Sequence, residues 1–126
     1  MVEQYFIDIL ARLSCSAVVA SFRIVRRRIR DRDEHLRVRC VLTNGDLLEF
    51  SEYVLLSEED IQVADYSFQW QSRFSLIRRW DNTRHHAQIS TFPAHVHIGT
   101  DENVKESSPM SLDRVLEIIE GEISAC

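Results

Sequence analysis

Phe6, Ile9, Leu10 and Leu13 recur at the i, i+3, i+4, i+7 spacing of an amphipathic helix, which predicts a first helix over residues 2 to 13 with one stripe to bury. From Val18 onward the period falls to two. Strands are expected near 18–30, 35–43, 46–56, 61–71 and 74–80, joined by connections too short for parallel crossovers and therefore forming an antiparallel meander. Leu112, Val115, Leu116, Ile119 and Ile123 fall on one face of a closing helix over 110 to 124. Ser111 is its expected N-cap, Asp113 lies in the first turn, and Pro109 limits extension backward. The class is α+β, an antiparallel meander sheet of about five or six strands with an N-terminal and a C-terminal helix packed on it. At 126 residues the chain fits one domain, residues 1–126.

Side-chain parity alone registers the second hairpin. Leu36, Val38, Cys40 and Leu42 share one face of their strand, and Leu48, Phe50, Val54 and Leu56 share a parity on the next. Putting both sets on one side of the sheet requires an odd loop. Thr43-Asn44-Gly45 supplies three residues, with Gly45 at the position that needs positive φ. Arg39 then faces Glu49 and Arg37 faces Ser51. On the next strand Tyr66, Phe68 and Trp70 alternate with Ser67, Gln69 and Gln71. Such a row could stack bases, but no basic-aromatic RNA-recognition signature surrounds it, so core packing is expected.

The net charge of −5 conceals a segregation. Residues 1–44 carry nine Arg against five acids, 45–65 carry seven acids and no base, and 66–100 carry four Arg against Asp81. The stretch from 101 has two bases and seven acids. Fourteen of the fifteen bases are Arg, whose planar fork suits phosphate or carboxylate, so a local anionic partner and charge neutralisation across the sheet both stand as readings. Bulk acidity argues against unspecific nucleic-acid binding. No apolar run reaches the ~18 residues of a membrane span, and Glu3 and Asp8 take the place of a basic leader, so neither span nor secretory signal is expected. Cys15, Cys40 and Cys126 have no C-x-x-C spacing, which suits a reducing cytoplasm, and Cys40 reads as an inert core thiol.

Between Trp80 and Gly99 the periodicity fails, and His85, His86, His95 and His97 all fall there. Long irregular connections in small domains more often carry function than structure. Three chemistries suit the cluster. His95 and His97, two apart on an extended segment, point the same way and could bind a metal with Asp81 or His85. Imidazoles could instead take a proton from a ribose 2′-hydroxyl and protonate the leaving oxygen, with Arg79 or Arg84 against the phosphate. The rings could also simply cap loop carbonyls, which accounts for one or two more readily than for four. No Walker loop, nucleophile elbow or H-E-x-x-H motif is present.

The same stretch resembles the signature of the TumE-type toxins of prokaryotic toxin–antitoxin pairs: an aromatic, D-N-x-P-H-H, then T-F-P-H-H-K-H and a glycine. Trp80-Asp81-Asn82, His85-His86, Thr91-Phe92-Pro93, His95, His97 and Gly99 match. Ser51-Glu52-Tyr53-Val54, the Tyr66 to Trp70 strand and Pro109-Met110-Ser111-Leu112 match more loosely. Arg84, Ala94 and Val96 depart from the family's proline, histidine and lysine. The resemblance implies a cytoplasmic toxin restrained by a cognate antitoxin protein, and RNA is the expected target by analogy with other small toxins. The leading expectation is metal-independent RNA cleavage without a cofactor. His85 and His97 are then base and acid, Arg79 the charge stabiliser and Asp81 the group that orients an imidazole. His86 and His95 complete the catalytic set, and Arg84, Asn82 and Trp80 contact substrate. The alternative is a non-enzymatic protein whose histidine loop binds a partner or a structural metal. An exposed strand edge would allow pairing with the antitoxin or as a homodimer.

Overall fold

The computed structural model describes residues 2–124, so Cys126 lies outside the described residues. Helix α1 (Val2–Cys15) leads into seven strands, β1 (Val19–Ile29), β2 (Asp33–Leu42), β3 (Leu47–Leu56), β4 (Ile61–Gln71), β5 (Leu76–Asp81), β6 (His95–Ile98) and β7 (Val104–Glu106), and α2 (Leu112–Ser124) closes the chain. The strands form one sheet in chain order, each antiparallel to the next. The short β6 and β7 carry the count past the expected five or six, since segments of four and three residues hold too few alternations to be read. Among the described residues no helix is long and apolar enough to cross a membrane.

The β2–β3 register is the one the side-chain parity requires, with Arg39 opposite Glu49 and Arg37 opposite Ser51. Its loop is closed by Leu42 N–H donating to the Asp46 carbonyl at 2.8 Å, and Gly45 supplies the positive φ of 90°. Ser111 caps α2, its hydroxyl accepting from Arg114 N–H at 3.3 Å.

One face of the sheet is apolar. Leu36, Val38, Cys40, Leu48, Phe50 and Phe68 are buried there against Ile9 and Leu13 of α1 and Val115, Leu116 and Ile119 of α2. The aromatic row packs here as expected: Tyr66, Phe68 and Trp70 are buried, and the Phe50 and Phe68 rings stack at 5.4 Å. Burial pushes the Cys40 thiol up to about 12, which keeps it protonated and unreactive. Arg12 ties the two helices together through Asp113 at 2.6 Å and Glu120 at 3.0 Å, and Ser16 donates to Glu120 at 2.7 Å.

Two carboxylates interrupt this apolar face. Glu34 and Glu52 are 1% and 3% exposed. Arg27 donates to Glu34 at 2.7 Å, and the Tyr5 hydroxyl donates to Glu52 at 2.5 Å. Burial pushes the Glu52 carboxyl above its ordinary range; the Tyr5 hydrogen bond opposes that and the charge of Glu34 adds to it. The folded chain thus holds this proton more tightly than the unfolded chain, so the stability it contributes is complete below the unfolded pKa of about 4.3 and is lost as pH rises through the folded value. In urea unfolding, Glu52→Gln is expected to raise the midpoint at neutral pH and to leave it close to wild type at pH ~4. Leu116→Ala, which hollows the contact of α2 with the sheet, is expected to cost about 2–5 kcal/mol in the same measurement.

Candidate functional site

The pairing of β5 with β6 sets Trp80 opposite Val96 and Asp81 opposite His95, with Arg79 opposite His97. Trp80 and Val96 belong to the core under the helices. Side chains alternate along a strand, so Arg79, Asp81, His95 and His97 all stand on the other face, away from the helices. There the irregular segment 82–94 folds back over them. The rings of His86 and His95 lie 4.8 Å apart and those of His86 and His97 5.7 Å, both nearly perpendicular. Asp81, His95 and His97 are buried, and His86 is half-buried.

Each inner ring has one nitrogen committed to the backbone. His95 Nδ1 is 2.9 Å from the Pro93 carbonyl oxygen, and His97 Nδ1 is 2.8 Å from that of Asp101. A carbonyl only accepts, so each Nδ1 carries its hydrogen and each Nε2 of a neutral ring presents a lone pair. The two Nε2 atoms face one another at 3.1 Å. The Asp81 carboxylate stands 2.8 Å from His95 Nε2 and 3.4 Å from His97 Nε2. Three acceptor groups therefore meet at one point, which attracts a proton or a cation.

Asp81 is itself held from outside the cluster. Thr83 donates to it from its backbone N–H at 3.1 Å and its hydroxyl at 2.8 Å, and Arg79 Nε donates at 3.3 Å. Arg79 also pairs with Asp101 at 2.9 Å. Asn82 anchors the start of the segment to β4, accepting from Tyr66 N–H at 2.9 Å and donating to the Ala64 carbonyl at 3.0 Å.

The arrangement meets a family pattern across nearly the whole chain. A family model described as toxin TumE matches residues 7–125. The chain belongs to the TumE toxin family. It is thus the toxin component of a toxin–antitoxin system and has a cognate antitoxin as partner. Comparison with curated proteins and with solved structures finds no match.

Of the residues singled out in this TumE-family sequence, the structure brings together Arg79, Asp81, His86, His95 and His97. It does not bring the others. Trp80 lies in the core on the opposite face, because strand alternation turns it away from its neighbour Asp81. Asn82 spends its side chain on the loop anchor. Arg84 is exposed, with its guanidinium 5.7 Å from the Phe92 ring. His85 is exposed and makes no hydrogen bond or ring contact among the described residues. Thr83 was missed in the sequence; a hydroxyl two residues after a buried acid is its only trace.

The same face carries a second feature. Arg23 pairs across β1–β2 with Arg39, and Arg26 with Arg37. Like charges directly opposite destabilise a sheet. Arg37 and Arg39 are offset by Glu49, at 2.9 and 2.7 Å, whereas Arg23, Arg26 and Arg28 are exposed and have no ion pair among the described residues. Asn82→Ala, which strands a backbone N–H and a carbonyl of β4, is expected to cost about 1–3 kcal/mol in thermal denaturation.

Proposed function

We propose that this toxin acts on RNA in the cytoplasm and cleaves a phosphodiester bond at the Asp81–histidine cluster. The observation that carries the reading is that the unpaired arginines of β1 and the cluster share one face of the sheet. From β1 to β6 is five strand spacings, about 24 Å at ~4.8 Å each, a track along which a phosphate backbone can lie across the sheet. Arginines held against one another are relieved by phosphate, and single-stranded RNA supplies it at regular intervals.

The proposed roles divide by exposure. His85, next in the chain to His86 and open to solvent, carries a proton to or from the substrate. Arg79, partly exposed beside Asp81, meets charge developing on the phosphate. His97, expected from the sequence as the partner acid, is 5% exposed at its side chain and pinned through Nδ1, so it serves with His95 as part of the fixed inner group that Asp81 orients. The long edge strand β1, with Ile24, Val25 and Ile29 exposed, supports pairing with the antitoxin or with a second copy of the chain.

Expressed without its antitoxin, the wild-type chain is expected to arrest growth with loss of RNA integrity. Asp81→Ala and His85→Ala/His97→Ala are expected to abolish both, and His85→Ala alone to slow cleavage by roughly 10²- to 10⁴-fold. Unchanged arrest and RNA decay in the double variant would overturn the assignment. Arg23→Ala/Arg26→Ala is expected to weaken RNA binding and to lower the slope of log affinity against log salt by about 0.7 for each phosphate no longer neutralised.

A further inference from the structure

We infer that His86, His95 and His97 bind a divalent transition-metal ion, with zinc the ion their chemistry fits best. The site is the one assigned above to RNA, but metal binding is read without RNA, so the two readings can fail separately. The committed nitrogens are the first indication. Metal-binding histidines commonly donate their second ring N–H to a backbone carbonyl or carboxylate, which fixes the tautomer and the aim of the free nitrogen. Both inner histidines do this, through Pro93 and Asp101.

The spacing agrees. Zinc–nitrogen bonds of about 2.0–2.1 Å in a tetrahedron place two ligand nitrogens roughly 3.3–3.4 Å apart. His95 Nε2 and His97 Nε2 are 3.1 Å apart. With His86 included, one ring nitrogen from each of the three residues lies within 4.8 Å of the others. Closing that set takes a shift of about 1.5 Å in His86, and His86 sits on the irregular segment rather than on a strand.

Charge and ligand type narrow the ion. Two bare lone pairs and a carboxylate, at most 3.4 Å apart and buried, repel one another unless something positive stands between them. Three imidazoles favour zinc over magnesium or calcium, which take oxygen ligands. Asp81 is the adjacent counter-charge, and the fourth tetrahedral position is left for water or a phosphate oxygen. A zinc ion there would supply Lewis acidity to the phosphoryl group and a more acidic bound water. One proton shared by the two Nε2 atoms and Asp81 would also relieve the repulsion, and it is the rival that the experiment must separate.

The test uses the full chain, stripped with a chelator, dialysed and titrated with zinc chloride by calorimetry, with cobalt(II) as a visible-absorption probe of the ligand geometry. One equivalent of zinc and a tetrahedral cobalt spectrum are expected. His97→Ala and His86→Ala should each weaken zinc binding by about 100-fold or more, beyond the usual cost of disturbing an outer partner. His86 itself lies on no strand, and circular dichroism checks that His86→Ala folds. His85→Ala, which alters the exposed neighbour, should keep the affinity within about threefold. The inference is overturned if no stoichiometric zinc binds at about 100 μM, as expected for a shared proton alone. It is equally overturned if His85→Ala loses as much affinity as His86→Ala, which would mark chelation by exposed imidazoles. Zinc binding to a chain that leaves RNA intact would sink the RNA reading and keep this one; RNA cleavage by a chain that binds no zinc would do the reverse.

Discussion

The pairing of β5 with β6 in the register that sets Trp80 opposite Val96 determines where the strand-borne groups of the site can stand. Those two side chains are drawn into the core because each is apolar, and the helices offer an apolar surface to receive them. Once they are placed, the two-residue period sends Asp81, His95, Arg79 and His97 to the opposite face. A slip of one residue would exchange the sets, burying two imidazoles and a carboxylate among aliphatic side chains. The cost of that exchange is what locks the polar cluster in register.

Much of the frame was legible in the sequence because burial writes a period into it. The parity of Leu36 to Leu42 against Leu48 to Leu56 was enough to demand a three-residue loop, and Gly45 with its φ of 90° is the physical answer. The same rule separates Trp80 from Asp81, and applying it to the segment after Trp80 would have moved that tryptophan out of the site. The histidines were visible as a cluster, and three of the four do converge. His85 does not, because nothing in an irregular segment ties direction to sequence spacing. Contacts made by backbone atoms, such as the carbonyls of Pro93 and Asp101 on the two inner rings, leave no residue-type signal at all. Glu52 shares the parity of Phe50 and Val54, so its burial was implied by the pattern; its partner Tyr5, forty-seven residues away, was not.

The molecule keeps its unfavourable electrostatics in two places that differ in kind. On the helix side, Glu34 and Glu52 are enclosed and each has one partner, Arg27 and Tyr5, while Glu34 Oε2 stays buried without a hydrogen bond. On the other side, the groups are left partly unanswered: acceptors facing acceptors at the cluster and arginines facing arginines at β1 and β2. Native proteins tend to concentrate such conflicts where a ligand resolves them.

The facing pairs Arg23–Arg39 and Arg26–Arg37 make the outermost strand sensitive to its surroundings. Each pair pushes β1 away from β2, and among the described residues β1 has no strand on its far side to hold it. A polyanion lying over both would remove that push and, by binding only the folded form, shift the unfolding equilibrium in its favour. The tightness of a single sheet edge would thereby become a gauge of whether the face is filled.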